Sequence, residues 1–146
     1  MILHNPTGLG IRSDPGGDGH FGASRGNRKH EGLDFLCAPG QIVRAVIPGK
    51  LVSAYPYAGD VIFAGCRLWG KDFMAKMFYF IPHKHLINED VLAGEEIGIA
   101  QDISAKYGGG MLPHLHVGLY KLNPTLLVNP EDYLDADKEQ LRNGGY

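Results

Sequence analysis

Two pairs of residues in this chain have the types and spacing to hold a metal ion and move a proton. His30 and Asp34 lie four apart in the run His30-Glu31-Gly32-Leu33-Asp34, and His114 and His116 flank Leu115. In an extended strand, residues two or four apart point to the same side. His114 and His116 therefore project together, as do His30 and Asp34 where the chain is extended. Gly32 argues against a helix between the second pair. Imidazole nitrogens and carboxylate oxygens are good zinc ligands. Three protein ligands with an open fourth position make a catalytic site, whereas a structural site is closed. His30, Asp34 and one of the two later histidines make that count. The plainer alternative is a surface His30, an Asp34 that caps a turn, and a half-buried strand with polar tips.

Such residues need a scaffold, and the chain reads as a mainly β one. Residues 1–32 are loop-like, dense in Gly, Pro, Asp, Ser and Asn. Strand-type runs follow at 33–36, 41–47, 50–55, 60–65, 73–81 and 114–120, rich in Val, Ile, Phe and Tyr, and 91–100 reads as a turn and another strand. No helical stretch between them is long enough for a parallel crossover, so a compact antiparallel sheet is expected. The segment 130–143, PEDYLDADKEQLRN, has helical composition and predicts a short C-terminal helix.

A length of 146 residues fits one domain with one core, over 1–146. The 21 glycines and 9 prolines are spread rather than repeated, which argues for many turns and against a helical bundle. The net charge of −2, with no concentrated Lys/Arg segment, gives no nucleic-acid footprint. No apolar run approaches 18 residues, so no transmembrane helix is expected. The start, MILHNPTGLGIRSDPGG, lacks a basic region followed by an apolar one, so no secretory leader is expected. Cys37 and Cys66 form neither a redox pair nor a thiolate zinc site, and two buried thiols are the simplest reading.

The ordered motifs bear a resemblance. Arg28-Lys29-His30-Glu31-Gly32-Leu33-Asp34-Phe35, then Ala38-Pro39-Gly40-Gln41-Ile42-Val43-Arg44-Ala45 and Gly49-Lys50-Leu51-Val52, precede Ala93-Gly94-Glu95-Glu96-Ile97-Gly98 and Pro113-His114-Leu115-His116. This order, over about 20–134, resembles the lysostaphin-type (LytM-like) zinc metallo-endopeptidases; 135–146 is a polar tail. Asp18-Gly19-His20-Phe21-Gly22-Ala23-Ser24-Arg25, Leu36-Cys37-Ala38-Pro39-Gly40 and Lys76-Met77-Phe78-Tyr79 further resemble the chemotaxin-2 subgroup. That subgroup is regarded as having kept the fold and zinc site while losing peptidase activity. Its disulfide framework is largely missing here, since only two Cys remain.

The resemblance implies the duplicated hybrid fold of that family, with a substrate groove. It implies Zn2+ held by His30, Asp34 and His116, with His114 handling protons. It implies a zinc-activated water attacking peptide cross-links of bacterial peptidoglycan, in stem or bridge. The family places one more histidine on a central strand. Counting back from Ala93-Gly94 puts that position at Tyr79, while the literal His85-Leu86 and nearby His83 are alternatives. A tyrosine hydroxyl can donate to a tetrahedral oxyanion as a histidine can. Either an active site retuned around Tyr79 or a catalytically silent, zinc-stabilised binding module follows. Arg25 is a loop-bracing or substrate-orienting candidate. Trp69, Tyr55, Tyr57 and Phe73 are candidates for lining a peptide groove or for packing. His4 reads as exposed, and His20 has no assigned role. A monomer is expected. Without a leader, delivery to the periplasm or wall would come through phage lysis or a specialised secretion machine.

Overall fold

The computed structural model describes residues 1–134. Four two-residue strands form two small ribbons near the start: β1 (Ser13–Asp14) with β2 (Gly17–Asp18), and β3 (Ser24–Arg25) with β4 (Arg28–Lys29). The main strands follow as β5 (Leu33–Leu36), β6 (Ile42–Arg44), β7 (Gly49–Ala54), β8 (Gly65–Trp69), β9 (Phe73–Phe78) and β10 (Phe80–Pro82). Then come β11 (Asp90–Val91), β12 (Glu96–Ala100), the single-turn helix α1 (Ser104–Tyr107), β13 (His114–Lys121) and β14 (Leu126–Val128). A seven-stranded sheet has the order β11-β7-β8-β9-β13-β14, with β5 also on β13. A three-stranded sheet, β10-β12-β6, is the second layer. The strand pairs are antiparallel, as expected. No helix among the described residues is long and apolar enough to cross a membrane.

The two-residue period of β13 separates core from site. Leu115, Val117 and Leu119 are fully buried, facing Phe35, Leu33, Met77 and Ala75 in register. His114, His116, Gly118 and Tyr120 lie on the opposite face. Val43, Phe80 and Ile97 of the smaller sheet belong to the same core. Burying side chains of this size contributes about 1.5–3 kcal/mol each, so this layer fixes the face on which the histidines emerge.

Three expectations need correction. The run 60–65 is not a strand: Val61 and Ile62 are both 72% exposed. The Asp60 carboxylate accepts from the Ile62 N–H at 2.8 Å, and Gln101 bonds both Ile62 and Ala64 backbone, holding a loop instead. The strand begins at Gly65, where a Cβ would stand 2.0 Å from the Met77 carbonyl oxygen, and buries Cys66 and Leu68. The run 73–81 is two strands, broken at Tyr79. In segment 130–143, Pro130–Tyr133 is a 3-10 turn rather than the start of an α-helix, capped by the Asn129 side chain; positions 135–143 lie outside the described residues. Helix α1 is an element the sequence reading did not anticipate.

Cys37 and Cys66 are free and buried. Burial, with the Asp102 charge adding at Cys37, pushes each thiol up to about 12. Thiolate is the reactive form. The folded chain at pH 8 is therefore expected to resist a colorimetric disulfide reagent, with both sulfurs titrating once guanidinium unfolds it. A stoichiometric burst before unfolding would contradict this.

Candidate metal centre and groove

Asp34 and His116 stand directly opposite each other, on β5 and β13. His30 reaches them from the segment after β4, fixed by its N–H to Ala23 at 2.8 Å and its carbonyl from Gly22 at 2.9 Å. Gly32 lets these elements close: a Cβ there would lie 2.5 Å from His116 Cε1. The glycine that argued against a helix is required by this close approach.

Three donor atoms converge. Asp34 Oδ1 is 3.1 Å from His30 Nε2 and 3.1 Å from His116 Nδ1, and the two nitrogens are 3.2 Å apart. His30 Nδ1–H donates to the His20 carbonyl at 3.0 Å, which leaves the Nε2 lone pair facing inward. Bonds of about 2.0–2.1 Å to a tetrahedral zinc put ligand atoms about 3.3 Å apart. The donor set and its spacing thus fit a small divalent cation, and these three residues form a group able to hold one. His30 and Asp34 are buried, and His116 is half-buried.

Further residues hold the donors in place. Buried Arg12 donates from Nε to Asp34 Oδ2 at 3.2 Å, and from its guanidinium to Asp14 Oδ1 at 2.9 Å. Its backbone N–H also donates to the Asp34 carbonyl at 2.9 Å. Arg25 stands 3.6 Å from Asp34 Oδ2 and donates to the Asp18 carbonyl at 2.7 Å, so it braces the loop. His20 holds Glu131 at 3.1 Å while its carbonyl orients His30. Burial raises the Asp34 pKa, but the hydrogen bonds of His116 and His30 and the field of His114 outweigh it. The carboxyl therefore sits well below the usual carboxylate range.

His114 lies beside this group, with Nε2 at 3.7 Å from Asp34 Oδ2. Its Nδ1–H donates to the Leu112 carbonyl at 2.8 Å, so Nε2 carries the lone pair of the neutral ring. Burial pushes its pKa below the ordinary value, against the raising effect of Asp34. Tyr79 stands edge-on to His114, ring centroids 5.6 Å apart. Its φ of +79° breaks the strand between β9 and β10 and turns the ring into the groove. Its hydroxyl meets that of Tyr57 at 3.3 Å, and Tyr57 meets Tyr107 of α1 at 2.7 Å. Burial raises the pKa of Tyr79 and Tyr57, so both hydroxyls stay protonated.

The three donors, His114 and the three tyrosines open into one groove of about 510 Å3. It contains His30, Asp34, His114, His116, Tyr79, Arg25 and Tyr57. His83 and His85 are not in it: they stack on each other around a 3-10 turn, and His83 holds Glu96 at 2.9 Å. Phe73 packs on Tyr133 instead, and Trp69 and Tyr55 are exposed outside the groove. His4 is exposed. Sequence reasoning missed Arg12 and Tyr107. Nothing in the spacing around either marks it, since each reaches the site only through tertiary packing.

No protein-family model matches the chain. Leukocyte cell-derived chemotaxin-2 of Mus musculus is 36% identical over 106 residues, covering 71% of this chain and 68% of that protein. Csd3 of Helicobacter pylori superposes with a TM-score of 0.66 at 19% identity, over 93% of this chain and 35% of that one. The chain thus spans about a third of Csd3. The antimicrobial peptidase lysostaphin from Staphylococcus simulans superposes with a TM-score of 0.62 at 19% identity, over 94% of this chain and 56% of that one. The motif order, the sheet topology and these likenesses agree, and the chain belongs to the lysostaphin-type (LytM-like) family of zinc metallo-endopeptidases, in the branch that includes leukocyte cell-derived chemotaxin-2.

Proposed function

We propose that the chain is a zinc-dependent endopeptidase that hydrolyses peptide cross-links of bacterial peptidoglycan. The observation that carries this reading is His114, whose Nε2 lone pair is aimed at the metal-donor cluster by the Leu112 carbonyl. A site that only stabilised the fold would have less need of such a base. His30, Asp34 and His116 would hold the ion. Zinc, when bound, supplies an acidified water and polarises the scissile carbonyl. His114 accepts the proton of the attacking water at Nε2 and returns it to the leaving amine. Tyr79, held in place by Tyr57, donates a hydrogen bond from its hydroxyl to the oxyanion that develops on the carbonyl. Peptidoglycan as substrate implies action in the periplasm or wall.

Purified sacculi incubated with the zinc-loaded chain should release fragments detectable by mass spectrometry, and a chelator should stop their release. No chelator-sensitive cleavage across several peptidoglycan types would reject the enzyme reading. A second reading is favoured by Tyr79 and by the chemotaxin relatives: a zinc-stabilised module that binds peptidoglycan or a protein without cutting. Chelator-sensitive cleavage separates the two, and Tyr79→Phe tests the part this residue plays in the first. It removes one oxyanion donor and keeps the ring, so turnover should fall about 10²–10³-fold with little change in folding. Unchanged kcat would remove Tyr79 from the chemistry.

A further inference from the structure

The groove inverts the charge of the molecule around it. The whole chain carries −2. Its groove is lined by five cations, Arg12, Arg25, Arg28, Lys29 and Lys76, against two acids, Glu31 and Asp34. Arg12 is consumed by Asp34 and Asp14, and Arg25 by the Asp18 carbonyl and Asp34. Arg28 and Lys29 are exposed on β4, and Lys76 is half-buried on β9 with its Nζ 5.0 Å from the centre of the Tyr120 ring. Among the described residues none of these three has an ion-pair partner. Cations left unpaired along a groove attract an anionic ligand.

Their placement gives a direction along the groove. Phe78 is opposite His116 and stacks on it, with ring centroids 6.3 Å apart. Lys76 is two residues further along β9, on the same face and opposite Gly118. Two residues of strand span about 7 Å, the length of two residues of an extended substrate. The other side of the metal donors carries Tyr79, Tyr57 and Tyr107, where Lys106 is engaged with Asp60 and the Tyr57 ring.

We propose that Lys76, Arg28 and Lys29 form a carboxylate-selecting subsite, so that the groove takes peptides with a free acidic group about two residues from the bond to be cut. The inference rests on the peptidase reading and names its substrate class. A carboxylate on the peptide is favoured over a phosphate polymer because the cations share one continuous groove with the metal donors. The anion they meet is then tethered to the chain that lies across His116.

The test offers the zinc-loaded chain sacculi stripped of phosphate polymers by hydrofluoric acid, either untreated or amidated with carbodiimide and ammonia. Cleavage is read by mass spectrometry and the bound fraction by sedimentation. Exposed ion pairs contribute little each, so the three together should give about a tenfold preference for untreated sacculi in both readouts. Lys76→Met, and Arg28→Gln with Lys29→Gln, should bring that ratio toward one. So should 1 M salt, which shortens the Debye length to about 3 Å. Lys50→Gln removes a lysine outside the groove and should leave the ratio intact. Equal handling of both sacculi, ratios unmoved by the groove variants, or binding only before phosphate polymers are stripped would overturn the inference. Absence of cleavage would withdraw the peptidase reading alone, because the bound-fraction ratio still decides the carboxylate subsite.

Discussion

Replacing His114 with alanine is expected to lower kcat by about 10²–10⁴, the usual contribution of a positioned general acid–base, while zinc stays bound. The geometry separates the two properties. His114 does not share the convergence point of His30 Nε2, Asp34 Oδ1 and His116 Nδ1, and stands 3.7 Å from the other Asp34 oxygen. Its Nδ1–H is committed to the Leu112 carbonyl, so its tautomer is set by backbone. Burial lowers its pKa, which keeps Nε2 able to accept a proton near neutrality. Removing the imidazole should therefore cost turnover rather than substrate binding, so kcat and kcat/KM fall together. Zinc stoichiometry measured on the purified variant provides the control. A His114→Ala variant with full activity would take the proton-transfer role away from this residue. A variant that loses its zinc would make His114 a ligand instead.

The period-2 run around His114-Leu115-His116 carries both its core face and its site face, so its strand and the side of its histidines were legible. Asp34 shares this property, since Leu33 and Phe35 flank it as core residues. Tyr79 was reached by counting from a downstream motif, not by periodicity. Periodicity continues the strand straight through 73–81, whereas the backbone breaks it with a positive φ that a non-glycine residue seldom adopts. Local pattern also failed at Val61 and Ile62, where apolar β-branched residues sit exposed in a loop that Asp60 and Gln101 hold. Propensity reports what fits a half-buried pleat, and side chain–backbone bonds from a distant residue override it. Arg12 was invisible for a related reason. Its partner is 22 positions away, and only the ribbon of β1 and β2 folding over β5 brings them together.

Asp34→Ala is expected to do the most damage, because the same carboxylate belongs to the candidate metal-donor group and pairs with a buried guanidinium. Arg12 is 2% exposed and Asp34 is 2% exposed. Removing one partner of a buried ion pair costs about 3–5 kcal/mol, since a charge is left without compensation. Asp14 still holds another nitrogen of Arg12, so about 3 kcal/mol is the better figure here. For a domain of this size that lowers Tm by about 10 °C. The loss is separate from the metal, so it should persist in chelator, where the wild-type chain is also metal-free. Zinc binding should fall as well, because two imidazoles alone leave the convergence point without its anion. Asp34→Asn keeps an oxygen for the Arg12 Nε–H and should recover part of the stability without recovering the metal. Arg12→Met combined with Asp34→Leu tests the pairing directly. Residues in contact are non-additive, and the double variant should be less destabilised than the two single changes summed. If the two effects simply add, the ion pair is not what holds this corner of the site. If Asp34→Ala binds zinc as the wild type does, the carboxylate is not a ligand.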